Sequence, residues 1–207
     1  MKAPLIGIMA DSHGQPETIE AALAMLKNRG CRSIYHLGDI CDSAHPETAG
    51  DCLRPLQANG VIAIKGNNDH AIVANHKGSD NTSVSPDILR YLHRLPLIKQ
   101  YRNAFFVHSL PFVRELGLSS MIGTMGQNES QRFFREQPAH IVFRGHSHSP
   151  EITWPVNQRI EARTPAVGEK FNLSQKIPCI VTCGALTRGL CMAWNAEENV
   201  VDCLSFK

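Results

Sequence analysis

Five times the chain repeats one pattern: a short apolar run followed at once by residues that can bind a metal. Leu5 to Ala10 runs into Asp11-Ser12-His13, Ser33 to Leu37 into Gly38-Asp39, and Val61 to Ile64 into Gly66-Asn67. Ala104 to Val107 leads to His108, and Ile141 to Phe143 leads to Gly145-His146-Ser147-His148. Helix-like segments separate the first three runs. Pro16 to Arg29 carries Ile19, Ala22, Leu23 and Leu26 at helical spacing, with Gly30 as a stop. Pro46 to Ala58 reads as a second helix, with Pro55 near its end. Strand, helix, strand at this rhythm calls for parallel pairing with helical crossovers, an α/β architecture.

That architecture says where chemistry sits. Open parallel sheets bind ligands outside the carboxyl ends of their strands. Residues two apart in an extended segment point the same way, so Asp11 with His13, and His146 with His148, can face one pocket. Gly38, Gly66 and Gly145 precede their ligands and let the backbone turn sharply. Carboxylate with imidazole suits borderline divalent ions: manganese, iron, nickel or zinc. A carboxylate can bridge two ions, whereas an imidazole nitrogen serves one. One aspartate between two histidine-rich half-sites is what a metal pair needs. Each piece alone is commonplace; Gly-Asp marks a turn and Gly-Asn-Asn-Asp reads as a loop. Their joint occurrence, each after a strand, points to a dinuclear centre.

Elsewhere the pattern is plainer. Asn75 to Pro86 is polar and reads as loop. Leu97 to Tyr101 and Ala104 to Val107 form a hairpin around Arg102-Asn103. Ser109 to Gln127 mixes Pro, Gly, Ser and Met without period, as a long functional loop or lid does. Gln131 to Gln137 reads as helix. Ile152 to Val156, Cys179 to Thr182, Leu190 to Trp194 and Val200 to Ser205 read as strands, the last two a hairpin. Arg159, Arg163, Lys170 and Lys176 fall in an insertion-like polar stretch, 159–176, read as a solvated loop rather than a surface for a polyanion.

At 207 residues the chain suits a single domain spanning 1–207. A net charge of +2 gives no case for nucleic acid as a partner. No apolar stretch is long enough for a membrane span, and the first residues lack the form of a signal peptide. A cytoplasmic address follows as the expectation. Seven cysteines without a CxxC pair are then read as free thiols; zinc on Cys179, Cys183 and Cys191 lacks the tight pairs such sites show.

Asp11-Ser12-His13, Gly38-Asp39, Gly66-Asn67-Asn68-Asp69, His108 and Gly145-His146-Ser147-His148 resemble the motifs of the calcineurin-like metallophosphoesterases. Thr182-Cys183-Gly184-Ala185 is loosely similar to that family's later Asn-Pro-Gly-Ser turn. The short length is similar to the small bacterial and archaeal phosphodiesterase branch. The resemblance implies a four-layer αββα sandwich of two mixed sheets flanked by helices. It implies one ion on Asp11, His13, Asp39 and His148, and another on Asp39, Asn67, His108 and His146, most simply manganese. It further implies hydrolysis of a small phosphoester or nucleotide by a metal-bridging hydroxide, with Asn67 as ligand and substrate neighbour, Asn68 donating to a phosphoryl oxygen, and Asp69 either orienting nearby groups or capping the loop.

The departure is Asn68, where many members of that family have a histidine that protonates the leaving group. An amide donates hydrogen bonds but is no acid near neutral pH. Metal-bound water, His45 or His70 are the alternative proton sources, and Arg188 is a candidate anion clamp. Two other readings share the fold: a dinucleoside polyphosphate hydrolase or protein phosphatase, and a non-catalytic interaction scaffold. Filled ligand positions speak against the scaffold.

Overall fold

Alternation along the strands sends side chains into different cores, and the layers follow from that. The computed structural model describes residues 5–79 and 82–207. In its first half, β1 (Leu5–Met9), α1 (Pro16–Asn28), β2 (Cys31–His36), α2 (Ala49–Ala58) and β3 (Ile62–Ala63) are followed by α3 (Asn67–His76) and α4 (Pro86–Arg94). Next come β4 (Ile98–Tyr101), β5 (Ala104–Val107), α5 (Ser119–Ile122), α6 (Gln127–Glu136) and β6 (Ile141–Arg144). The chain ends with β7 (Glu151–Val156), β8 (Arg159–Arg163), β9 (Lys170–Asn172), β10 (Cys179–Thr182), β11 (Leu190–Asn195) and β12 (Val200–Ser205).

Two six-stranded sheets result, ordered β3-β2-β1-β11-β12-β9 and β4-β5-β6-β10-β7-β8. Both are mixed: β1 pairs parallel with β2 and antiparallel with β11, while β6 pairs parallel with both β5 and β10. Ile6, Ile8 and Ala10 point between the sheets, toward Phe106, Phe143 and Trp194, whereas Met9 points out toward Ile19, Leu23 and Leu26 of α1. On the far face of the second sheet, Phe105, Val107 and Val142 meet Phe133 and Phe134 of α6. Three apolar interfaces therefore separate four layers, helix, sheet, sheet, helix. Tyr35 of β2 stacks on Phe106 of β5 with centroids 4.0 Å apart, and Trp194 meets Phe143 at 4.9 Å. These contacts tie β2 to β5 and β11 to β6. Truncating a buried aromatic such as Phe106 to alanine would cost about 3–5 kcal/mol.

Several elements depart from the sequence reading. The polar segment read as loop over 75–86 begins inside α3 and ends at the start of α4; Asp80 and Asn81 lie outside the described residues. Residues 159–176 form two edge strands. β8 extends the second sheet along β7, and β9 extends the first along β12. Their charges are engaged locally: Arg163 pairs with Glu169 at 2.7 Å, and the Lys176 ammonium lies 4.4 Å from the Trp154 ring centroid. Edge strands with mostly exposed side chains lack the apolar alternation that marks a strand in sequence. The segment read as a lid contains α5, and α6 begins four residues earlier than the sequence indicated. All seven cysteines are free, and no helix among the described residues is long and apolar enough to cross a membrane.

Candidate metal centre

Asp11 and His13 lie just past β1, Asp39 past β2, His108 past β5, and His146 with His148 past β6. Asn67 opens α3. Five of these residues have left-handed backbones: Asp11 (φ 59°), His13 (φ 44°), Asp39 (φ 52°), His146 (φ 70°) and His148 (φ 59°). Such conformations cost of order 1–3 kcal/mol each and persist only where surrounding structure enforces them. Here the loops enforce one another. The Asp11 and His13 amides donate to the carbonyls of Gly38 and Asp39, each at 3.1 Å, and Gly145 N–H donates to His108 O at 3.1 Å. The late turn closes the ring, Leu186 N–H donating to Ala10 O at 2.9 Å. Gly66 must stay bare, since a Cβ there would lie 2.1 Å from the Asp39 nitrogen and 2.2 Å from its Oδ1.

The donor atoms fall into two groups. In the first, His13 Nε2 and His148 Nε2 are 3.0 Å apart, His148 Nε2 is 3.6 Å from Asp11 Oδ1, and His13 Nε2 is 3.7 Å from Asp39 Oδ2. In the second, His108 Nε2 lies 3.1 Å from Asn67 Oδ1, 3.2 Å from His146 Nδ1 and 3.6 Å from Asp39 Oδ1. Donor atoms of Asp11, Asp39 and His108 also lie within 4.8 Å of one another, so the groups adjoin. Nitrogens and oxygens bound at about 2.0–2.2 Å to one ion stand roughly 3–3.5 Å apart, which both groups approach. Paired imidazole nitrogens facing each other at this distance converge lone pairs on one point. The residues present fit two divalent ions.

Supporting contacts set which atoms face inward. His108 Nδ1–H donates to Leu37 O at 2.7 Å, leaving Nε2 bare. The His146 amide donates to Asp11 Oδ2 at 3.0 Å. Burial holds the His108 imidazole down to about 4 and lowers His146 and His148 as well, which favours the neutral form that metal binding requires. Burial and the neighbouring Asp39 push Asp11 well above the usual carboxylate range. Arg144 offsets this only in part, so two buried carboxylates brought together with no bonded cation make a favourable cation site. Asp11, Asp39 and His108 are buried while His13, Asn67, His146 and His148 are half-buried, so the centre opens to solvent on one side.

Other candidates take different places. Asp69 is fully buried and points away from that opening: Oδ2 accepts from Gly66 N–H at 2.9 Å, and Oδ1 from Ile40 and Cys41 N–H at 3.1 Å each. It staples the first turn of α3 to the loop after Asp39, the capping arrangement that is one of its two readings in the sequence. Asn68 bonds to Asp39 and to Ser43. His45 is exposed and 3.5 Å from Glu47, and His70 is half-buried on α3. Arg188 is exposed and donates to Ser149 Oγ at 3.0 Å, beside His148. Sequence reasoning missed Ser43 and Arg144. Ser43 carries no signal, but Arg144 at the end of an apolar strand does.

Comparison with known proteins agrees with this fold. A metallophosphoesterase from Sphaerobacter thermophilus superposes with a TM-score of 0.75 at 20% identity, over 100% of this chain and 89% of the other. The hypothetical protein PH1004 from Pyrococcus horikoshii superposes with a TM-score of 0.66 at 14% identity, over 97% and 87%. The uncharacterized protein MJ0912 of Methanocaldococcus jannaschii is 26% identical over 173 residues, 73% of this chain. The chain spans 65% of the length of that relative. The profile of the calcineurin-like phosphoesterase superfamily domain matches residues 5–162, from β1 through the His146-Ser147-His148 motif, and the chain belongs to that superfamily.

Proposed function

We propose that this chain hydrolyses phosphodiesters at a pair of divalent ions, with a small phosphoester or nucleotide as substrate. One observation carries the reading: the two oxygens of Asp39 face different histidines, Oδ2 toward His13 and Oδ1 toward His108. A carboxylate so placed can serve two ions at once. Asp11, His13, Asp39 and His148 would hold one, and Asp39, Asn67, His108 and His146 the other. Manganese is the first choice, with iron, nickel and zinc also suited to this oxygen and nitrogen set. When bound, such a pair supplies Lewis acidity and an activated water.

The chain's own residues do the rest. Leu37 O fixes the His108 tautomer, and the His146 amide orients Asp11. Arg188, at the exposed rim beside His148, is placed to draw in the phosphoryl anion. No imidazole stands at position 68 to protonate a leaving alcohol. The test is turnover by metal-loaded protein of bis(p-nitrophenyl) phosphate, p-nitrophenyl phosphate and a dinucleoside tetraphosphate. Preference for the diester is expected. Preference for the tetraphosphate or the monoester would reassign the substrate, and two bound ions with no turnover of any would favour a scaffold.

A further inference from the structure

The outer face of the second sheet carries a buried charge that hydrogen-bonds to none of the metal-site side chains. Arg144 ends β6, and its side chain leaves the strand on the face opposite Phe143. The residue is only 4% exposed. Nε–H donates to Ser109 O at 3.2 Å, Nη2 to Ser109 Oγ at 3.3 Å and Nη1 to Thr182 Oγ1 at 3.3 Å. These partners are neutral, and the fork retains N–H groups without an acceptor. Asp11 and Glu151 act on it through space, but neither forms an ion pair with it, and burial still pulls the guanidinium down to about 10. A buried charge with no bonded counter-ion is costly.

Beside the guanidinium is a cavity of 330 Å³, bordered by the start of α6 at Gly126 and Gln127, by Thr182 and Thr153, and by Ala162 of β8. Thr182 Oγ1 accepts from Arg144, so its own hydrogen is free for an occupant. Glu151, the acid on the cavity wall, is exposed and accepts from Thr153 Oγ1 at 3.2 Å rather than pairing with Arg144. The metal-binding side chains take no part in this wall.

We propose that this cavity is a second anion site, taking the phosphate or carboxylate group of a small molecule on Arg144 and Thr182. Ser109 follows His108 and Arg144 precedes Gly145-His146, so an occupant would brace two segments that carry metal ligands.

The test is calorimetric titration of inorganic phosphate, and separately of succinate, into the metal-loaded full chain. Asp39→Asn distinguishes this site from phosphate held at the metals, because binding at Arg144 should survive that change. Arg144→Gln should weaken the surviving binding by about tenfold or more. Ala162→Phe, which fills the cavity from exposed β8 and leaves Arg144 in place, should also remove it and decides the matter if Arg144→Gln fails to fold. Whichever probe binds more tightly names the anion class. Absence of binding by either probe to the Asp39→Asn protein at millimolar concentration overturns the proposal. So does a loss of folding stability in Glu151→Gln, which would make Glu151 the counter-ion.

Discussion

Asn68 holds Asp39 by both carboxylate oxygens: its backbone N–H donates to Oδ1 and its Nδ2 to Oδ2, each at 2.8 Å. The orientation of the amide follows from its other side, where Oδ1 accepts from Ser43 Oγ at 2.8 Å and from Ser43 N–H at 3.3 Å. A backbone N–H can only donate, so the oxygen must face Ser43 and the NH₂ must face Asp39. In this structure the side chain is thus committed to positioning the Asp39 carboxylate. Asn68→Ala should weaken metal binding by about 10–100-fold, the usual scale for a lost partner of a ligand, as read by chelator competition. Unchanged affinity would remove Asn68 from that role.

The same position makes leaving-group chemistry informative. General acid catalysis is worth on the order of 10²–10⁴-fold, so its absence shows with alkoxide leaving groups and fades with nitrophenolates. Activated aryl diesters should turn over readily and unactivated alkyl diesters slowly, and Asn68→His should narrow the gap. A flat dependence of wild type on leaving-group pKa, with chemistry rate-limiting, would reveal another acid, with His45→Ala and His70→Ala as the next comparison.

Asp69 should behave as a structural residue. Asp69→Ala leaves the buried amides of Gly66, Ile40 and Cys41 without their acceptor, at about 1–3 kcal/mol for each unsatisfied group. A fall of about 6–12 °C in the thermal midpoint is expected, from a combined loss of about 3 kcal/mol. An unchanged midpoint with turnover abolished would return Asp69 to the chemistry.

Buried His36 gives the stability a defined pH dependence. Ser12 Oγ donates to Ile40 O at 2.9 Å, so His36 Nε2–H must donate to Ser12 Oγ at 3.1 Å, and its buried Nδ1 has no partner. Burial, with His108 adding to it, pushes the His36 imidazole down to about 3. Between that value and an unfolded value of about 6.5 the unfolded chain holds more protons. Stability from this group is therefore present above about pH 6.5 and lost as pH falls toward 3, at about 1.4 kcal/mol per pH unit. Urea unfolding of metal-free protein between about pH 6.5 and 5 should lose stability more steeply with falling pH in wild type than in His36→Phe, by up to about 1.4 kcal/mol per pH unit. Equal slopes in the two proteins would contradict it.

How much of this was legible depended on which physical signals reach the sequence. The strands before Asp11, Asp39, His108 and His146 were legible because both their faces are buried and a ligand or glycine follows each. The division into half-sites came from family resemblance, since spacing alone cannot say that His148 meets His13 while His146 meets His108. Helix α3 was hidden: only Asp69, Ile72 and Val73 are buried, too few for an amphipathic stripe. Its start was nonetheless marked by an acid three residues after Gly66. Helix α4 had readable signals, with Ser85 capping, Pro86 at its first turn, and His93 and Arg94 at its end. They were obscured by the polar segment before them. Strands β8 and β9 were illegible because an exposed edge imposes no apolar alternation.

The two groups of donors should fail separately. His13→Ala should chiefly weaken one ion and His108→Ala the other, each variant retaining about one ion per chain on metal counting after gel filtration. Identical losses in both variants would leave the division unsupported.

Asp39 is the residue on which the account turns, and the most direct measurement is the metal content and diester turnover of Asp39→Asn beside wild type. Metal analysis of the manganese-loaded proteins should find two ions per chain in wild type, weakened occupancy of both in the variant, and no turnover in the variant. A variant that keeps two ions and a near-normal rate would contradict a bridging role for Asp39, and with it the dinuclear account.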